Sequence, residues 1–154
     1  MDIDGEMEKL FLEEVDCSYI HKKLLFDIFQ QKKIEERISS SIDLHFEAHC
    51  SFVDKHPYRY WFLVKVSKNY IGTLYITNEN SIGVQLLECY QIYFETLINQ
   101  VLEKYKPLTA IPSVRPSDFI VNISPSNTQL ENKLHKMGAD CVQKTFKLVK
   151  NENT

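Results

Sequence analysis

Glycine is scarce in this chain of 154 residues, which contains only Gly5, Gly72, Gly83 and Gly138. The closest two, Gly72 and Gly83, are 11 positions apart. A dinucleotide-binding fingerprint and a Walker A loop both need closely spaced glycines, because the backbone must approach phosphate groups without a Cβ in the way. The sequence therefore excludes both of these phosphate-binding loops.

Cysteine pairs and long apolar runs are also lacking. No C-x-x-C spacing occurs among the four cysteines, and a chain of this length has enough core to fold without disulfides. We therefore expect reduced thiols. The first residues are acidic where a secretory signal would be basic, and the densest apolar run, Tyr60–Val64, stops at Lys65. These features predict a soluble, cytoplasmic protein that does not contact a membrane.

An excess of positive charge is absent as well. The chain carries 18 basic and 21 acidic side chains, a net charge of -3, so no global field attracts a nucleic-acid backbone. Hydrophobic residues at 44% and charged residues at 25% are typical of globular proteins, which argues against disorder. The length favours one domain over residues 1–154.

Apolar periodicity divides the front of the chain into one strand and two helices. A short apolar run over Lys9–Val15 predicts a strand, and the helical spacing that follows predicts a helix capped at Cys17 or Ser18. A break at Ser39–Ser41 separates it from a second helix, which must end before Pro57. The apolar stripe of this second helix consists of Ile42, Phe46, His49, Cys50 and Val53.

The middle of the chain changes to the two-residue period of strands. Aromatic and β-branched residues predict strands over Tyr60–Val66, Tyr70–Ile76 and Ser81–Leu87, joined by tight turns into an antiparallel meander. A helical stripe runs from Tyr93 to Tyr105 and is closed by Pro107. Its apolar residues are expected to form a buried helix face.

The last third of the chain predicts a strand, a short helix and a further strand. Asp118–Ile123 is the first strand, the helix begins at Ser126–Asn127, and Gly138 stands where a C-cap glycine belongs. Cys141–Val149 is expected to end the fold as a final strand. This order of elements predicts a mixed α/β (α+β) domain.

The element order resembles the GNAT superfamily of acyl-CoA-dependent N-acetyltransferases. Asn122–Asn127, followed by a short helix that ends in Leu134–Ala139, is similar to the family's N-x-x-x-x-N segment and its helix ending Y-E-K-L-G-F. His56–Trp61 and Asn69–Ile76 are similar to its second and third strands. The resemblance extends from about Lys9 to Val149 and implies a GNAT-like fold, with a mixed, mostly antiparallel central sheet flanked by helices.

The resemblance also implies where acetyl-CoA would bind. In the family, the fourth strand leads into a loop of pattern Q/R-x-x-G-x-G/A, whose backbone N–H groups hold the pyrophosphate at a helix N-terminus. Here Gln91 matches the loop, whereas Phe94 and Thr96 replace its small residues and Glu95 adds negative charge. We expect the Phe94 ring to clash with the ligand. The implied cofactor residues are Gln85, Leu86, Leu87, Gln91, Ile92, Tyr93, Phe94, Glu95, Thr96 and Asn127.

The family's acid and base residues are not matched directly. The glutamate that acts as general base on the fourth strand falls at Ser81, and Glu79 is the nearest substitute if the strand extends to it. The tyrosine that protonates the departing thiolate falls at Leu134, and the aromatic after the glycine falls at Ala139. Glu79 is therefore the catalytic residue that the resemblance implies.

Two functions remain open from the sequence. The first is an N-acetyltransferase that transfers an acetyl group from acetyl-CoA to an amine of a small molecule or a protein. The second is a catalytically inactive GNAT-fold pseudoenzyme that acts as a protein-interaction or ligand-binding module. Neither function involves nucleic acid, and a homodimer is compatible with both.

Other residue patterns have a structural interpretation that outweighs the functional one. His45 and His49 are one helical turn apart but lack the glutamate placement of the H-E-x-x-H zinc site, so we expect a buried histidine and no metal. Cys89 is interpreted as a small apolar residue. Tyr58, Tyr60 and Trp61 are expected in a hairpin with one face in the core, the alternative being an aromatic wall of an acceptor pocket.

Overall fold

The computed structural model of the protein describes residues 8–31 and 45–150. The expected break at Ser39–Ser41 and the first residue of the second helical stripe, Ile42, lie outside these ranges.

Four antiparallel strands form the central sheet. They are β1 (Leu10–Glu14), β2 (Tyr60–Val66), β3 (Asn69–Ile76) and β4 (Ile82–Leu86), and they lie side by side in that order. The aromatic and β-branched residues of β2 and β3 suit a pleated, buried surface, and tight turns join β2 to β3 and β3 to β4. The predicted meander is confirmed.

Helices cover both faces of this sheet. They are α1 (Tyr19–Gln30), α2 (Phe46–Lys55), α3 (Phe94–Lys104) and α4 (Thr128–Lys136). A 3₁₀ helix over Glu88–Tyr93 leads from β4 into α3.

The helix ends follow the capping residues in the sequence. Ser18 caps α1, since its hydroxyl accepts a hydrogen bond from the His21 N–H at 3.2 Å. Asn127 caps α4 in the same way by accepting from the Leu130 N–H. Gly138 follows α4 with φ of 87°, a left-handed conformation that closes the helix. These predicted helix boundaries are confirmed.

The core has two parts, one on each face of the sheet. On one face, α3 packs on the sheet through Phe94, Leu97 and Val101, each almost fully buried. On the other face, α1 and α2 cover Trp61 and Leu63 of β2. The helical stripes predicted from the sequence therefore supply the faces that contact the sheet.

The two strands expected after α3 do not form as regular strands. Asp118–Ile123 makes only one parallel bridge to the sheet, through Ile120, whose N–H donates to Asn80 and whose C=O accepts from the Ile82 N–H. Cys141–Val149 is exposed and forms no strand. A strand requires a partner for its backbone groups, and no described part of this chain pairs with residues 141–149.

Strand β4 begins at Ile82, one residue after the predicted start at Ser81, and a turn precedes it. Asn80 is fully buried and has φ of 66°, which places it in a tight turn rather than in an extended strand. Its side chain donates to the C=O groups of Leu108 and Pro116 and accepts from the Leu108 N–H. These bonds hold the turn and keep Glu79 outside β4.

Candidate functional site

A cavity of about 550 Å³ opens where β4 separates from the segment that follows Ile120. The two run parallel and are joined at Ser81, which bridges to Ile120 through the hydrogen bonds that Ile120 makes with Asn80 and Ile82. Beyond this joint, residues 83–86 form one wall of the cavity and residues 122–124 the other, and α4 covers them. The cavity is therefore an opening between two parallel segments of backbone.

Strand β4 presents to this opening, at Val84, a backbone edge with which no described residue pairs. Ser81 and Leu87 bond toward β3, whereas the Ile82 N–H bonds toward Ile120. Because backbone groups alternate in direction along a strand, the N–H and C=O of Val84 point away from β3 and into the cavity. A ligand with an extended chain of amides could bond to this edge as an added strand does.

Gln85 contributes a buried amide to the cavity wall. Its Nε2 donates to the Ile28 C=O at the end of α1, and only 6% of the residue is exposed. Its Oε1 is buried and has no partner among the described residues. An unsatisfied buried oxygen is costly, so this atom is suited to accept a hydrogen bond from a ligand.

Two lysines of α4 supply positive charge in the lining of the cavity. Lys133 donates to the Gln91 C=O at 2.7 Å, and Gln91 in turn donates from its side chain to the Leu86 C=O at 2.6 Å. This chain of bonds links α4 to the end of β4. Burial lowers the pKa of the Lys133 ammonium. Lys136 lines the same cavity.

Phe94 lies in the core and does not project over the start of α3. Its side chain is 2% exposed and packs with the apolar face of α3 while also lining the cavity floor. The clash expected between this ring and a ligand stays a prediction, but the ring itself is packed in the core rather than exposed at the start of α3. The reason is that Phe94 belongs to the same buried stripe as Leu97 and Val101.

The structure brings together half of the implied cofactor residues. Those that line the cavity are Gln85, Leu86, Gln91, Phe94 and Asn127. The remainder lie elsewhere: the Leu87 N–H donates to Ile71, Tyr93 is buried in the core, and Ile92 and Glu95 are exposed. Thr96 is half-buried and is not part of the cavity wall.

Glu79 does not reach the cavity. It is exposed in the turn between β3 and β4, where its N–H bonds to the Thr77 hydroxyl. The strand does not extend to Glu79, the condition under which Glu79 would replace the family's base, because the turn at Asn80 intervenes. Glu88, at the other end of β4, is the carboxylate that lines the cavity.

Tyr75 is a cavity residue that the sequence analysis did not identify. Its ring stacks on Tyr58 with centroids 4.0 Å apart and planes inclined by 7°, and it lies against Gly83 of β4. Burial raises the pKa of the Tyr75 phenol, so the group stays protonated and can donate. The strand period could have identified it, because Thr73 and Tyr75 share one face of β3 and both line the cavity.

The remaining candidate residues have structural roles. His49 is 1% exposed, its Nε2 bonds to the Lys22 C=O, and aromatic rings surround it. This confirms the interpretation of a core histidine, and Trp61, 1% exposed, confirms a hairpin face in the core. Across residues 8–31 and 45–150, no cluster of three potential metal ligands occurs, and no helix is long and apolar enough to cross a membrane. The four cysteines are free.

Comparison with solved structures identifies several acetyltransferases of similar shape. Microcin C7 self-immunity acetyltransferase MccE, solved with acetyl-CoA and AMP, has a TM-score of 0.60 at 16% identity over 84% of this chain and 78% of its own. Aminoglycoside N-acetyltransferase AAC(6')-Iy, solved with CoA, has a TM-score of 0.62 at 12% identity over 95% of this chain and 97% of its own. The ribosomal α-N-protein acetyltransferase RimL, solved with coenzyme A, has a TM-score of 0.56 at 15% identity over 83% of this chain and 77% of its own.

At these identities the comparisons show the fold. The chain has the GNAT fold, with a mixed, mostly antiparallel sheet flanked by helices, as the resemblance in the sequence implied. No protein-family model and no curated protein matches the sequence.

Proposed function

We propose that the protein is an N-acetyltransferase that binds acetyl-CoA in the cavity between β4 and residues 122–124. The observation that carries this proposal is the unpaired backbone edge at Val84, which faces an opening between two parallel segments. The pantetheine arm of coenzyme A is an extended chain with two amides, which a strand edge can bind. Several solved structures with this fold contain acetyl-CoA or CoA.

In this proposal the lysines of α4, rather than a glycine-rich loop, bind the pyrophosphate of the ligand. The chain has no glycine between Gly83 and Gly138, so closely approaching N–H groups cannot hold a pyrophosphate. Lys133 and Lys136 line the cavity on the side of α4, and a lysine ammonium binds phosphate as a point charge. They would hold the anionic end of the ligand.

Residues deeper in the cavity would orient the reacting groups. Acetyl-CoA supplies the activated acyl group, and the acceptor is an amine of a small molecule or a protein. Gln85 Oε1, which has no partner among the described residues, can accept a hydrogen bond from the amine and so fix its position. The amine nitrogen bonds to the acyl carbon as the carbon–sulfur bond breaks. The amine loses a proton to water, and Tyr75 can donate its phenolic proton to the departing sulfur.

Calorimetric titration with acetyl-CoA tests the proposal. The wild-type protein should bind it, and Lys133→Ala combined with Lys136→Ala should weaken binding by about tenfold or more, because two charges that face the phosphates are lost. S-acetyl-pantetheine, which lacks the phosphates, should bind wild type and variant equally. Lys104→Ala, on α3 and outside the cavity, is the matched control and should leave both affinities unchanged.

The second candidate, a pseudoenzyme, is favoured by one contact. The Gln91 side chain donates a hydrogen bond to the Leu86 C=O, the next carbonyl of β4 after Val84 that points away from β3. This carbonyl is therefore already paired and does not offer its bond to a ligand. If acetyl-CoA at millimolar concentration gives no heat and no thermal shift, the acetyltransferase proposal is refuted and the chain is a binding module. Tyr75→Phe distinguishes a binder from an enzyme, since it should slow turnover with little effect on affinity.

A further inference from the structure

Gln91 forms a hydrogen-bonded bridge between the end of β4 and α4. Its side-chain Nε2 donates to the Leu86 C=O at 2.6 Å, and its own C=O accepts from Lys133 Nζ at 2.7 Å. The same C=O also accepts from the Phe94 N–H at the end of the 3₁₀ helix. The backbone of Gln91 is therefore held in place, and its carboxamide reaches back to the last residue of β4.

The bond to Leu86 uses a backbone acceptor that β4 directs into the cavity. The Leu87 N–H bonds to the Ile71 C=O of β3. Because backbone groups alternate in direction along a strand, the C=O groups of Val84 and Leu86 both point away from β3. Leu86 and Gln91 also line the cavity. A ligand that pairs with this edge would therefore meet, at Leu86, an acceptor that already has a donor.

The two ends of the cavity determine the direction of a bound thioester. Tyr75, which can protonate a departing sulfur, lies against Gly83, the residue before Val84. Lys133, which would hold the anionic end, contacts Gln91 beyond the end of β4. The thioester therefore lies toward Gly83, and the phosphates lie toward Gln91.

The second amide of the ligand would then fall beside Leu86. The pantetheine arm carries two amides in succession, and the amide nearest the thioester would pair at Val84. Positions that face the same side of a strand recur every two residues, about 7 Å apart. The next acceptor toward the phosphates is therefore the Leu86 C=O. The Gln91 carboxamide, which is itself an amide N–H donor, occupies that acceptor.

We propose that Gln91 determines how much of the ligand β4 recognises. Its carboxamide takes the place of the second pantetheine amide, so β4 pairs with one amide, the one nearest the thioester. This inference rests on the proposed function. Because Gln91 belongs to the same chain, its donor is present at a high effective concentration, and a ligand amide gains a bond only by displacing it. Gln91 thus limits the affinity for the pantetheine arm and for the product coenzyme A, which must leave after each turnover.

NMR titration with two thioesters of different length tests the inference, because it measures weak affinities. S-acetyl-N-acetylcysteamine carries only the amide nearest the thioester, whereas S-acetyl-pantetheine carries both. Gln91→Met keeps the length of the side chain and removes its N–H donor, so the Leu86 C=O becomes available. One added hydrogen bond should tighten binding of S-acetyl-pantetheine by about two- to tenfold. The affinity for S-acetyl-N-acetylcysteamine should change by less than about twofold.

Two further variants separate the donor from the bulk of the side chain. Gln91→Lys keeps a donor, and its charge has no phosphate to attract in either thioester, so it should bind both as the wild type does. Gln100→Met makes the same substitution on α3, outside the cavity wall, and should also leave both affinities unchanged. A residue that only supported the fold would instead weaken both thioesters together when replaced by methionine.

The wild-type protein gives an answer even if Gln91→Met does not fold. The side-chain N–H₂ signals of Gln91 should keep their chemical shifts and their slow exchange when S-acetyl-pantetheine binds, because the bond to Leu86 persists. Loss of that bond on binding would mean that the second amide displaces the carboxamide, and it would overturn the inference.

The outcomes distinguish this inference from the proposed function. If the wild type binds both thioesters and Gln91→Met binds S-acetyl-pantetheine no more tightly, the inference is wrong and the proposed function stands. If neither the wild type nor any variant binds a thioester or acetyl-CoA, the proposed function fails and the inference fails with it. Binding by Gln91→Met alone would confirm that Gln91 competes with the ligand and would refute only acetyl-CoA binding by the wild type.

Discussion

Replacement of Gly83 by alanine should destabilise the fold, because the new methyl group would collide with the ring of Tyr75. A Cβ at Gly83 would lie 2.0 Å from Tyr75 Cζ and 2.4 Å from the two adjacent ring carbons. Carbon atoms in contact are normally about 3.5–4.0 Å apart, so the ring must move by about 1.5 Å or more. The ring is stacked on Tyr58 at 4.0 Å, and it cannot move without disturbing that pair.

The expected cost follows from these two contacts. Forcing an extra methyl group into a packed site costs about 1–3 kcal/mol, and loss of an aromatic pair costs about 0.5–1.5 kcal/mol. We therefore expect Gly83→Ala to lower the free energy of unfolding by about 2–4 kcal/mol. For a chain of this size that corresponds to a decrease in Tm of about 5–15 °C.

Urea denaturation of a double-mutant cycle tests this reasoning. In a Tyr75→Ala background the obstructing ring is gone, so Gly83→Ala should then cost less than about 0.5 kcal/mol. Gly72→Ala is the control, because its Cβ would lie 2.2 Å from the backbone oxygen of Gln85 and its cost should be the same in both backgrounds. An equal cost of Gly83→Ala in the presence and absence of the Tyr75 ring would refute the argument.

Three further predictions concern buried polar groups. Asn80→Ala removes three hydrogen bonds at a fully buried turn and should cost about 2–4 kcal/mol in urea denaturation, whereas the exposed Asn78→Ala should cost little. Thr73→Val leaves the Trp61 indole N–H without its acceptor and should lower the free energy of unfolding by about 1–3 kcal/mol. Adding Trp61→Phe, which removes that N–H, should recover most of this loss. Burial lowers the pKa of His49, so unfolding takes up a proton below the ordinary value of 6.5 and stability should fall as the pH decreases from 7 to 5. His49→Gln should flatten this decrease, and an unchanged slope would contradict it.

Local patterns in the sequence determined most of the helices and the antiparallel strands. Capping residues act on backbone groups within a few positions of themselves, so their effect can be predicted without a tertiary structure. This applies to the serine before α1, the asparagine before α4 and the glycine after α4. The same holds for β2 and β3, whose residue types and turn are contiguous. Five of the ten cofactor residues that the resemblance to the GNAT family implied line one cavity: Gln85, Leu86, Gln91, Phe94 and Asn127.

Long-range contacts decided the rest. Residues 118–123 and 141–149 carry strand patterns, but a strand also needs an edge to pair with, and only the folded chain shows which edges are available. Glu79 and Glu88 lie at opposite ends of β4, and the turn at Asn80 decides that only Glu88 lines the cavity. Lys133 meets Gln91 across 42 positions of sequence because α4 folds over the end of β4. Such proximity arises from tertiary packing, which the local periodicity of apolar residues in the sequence does not predict.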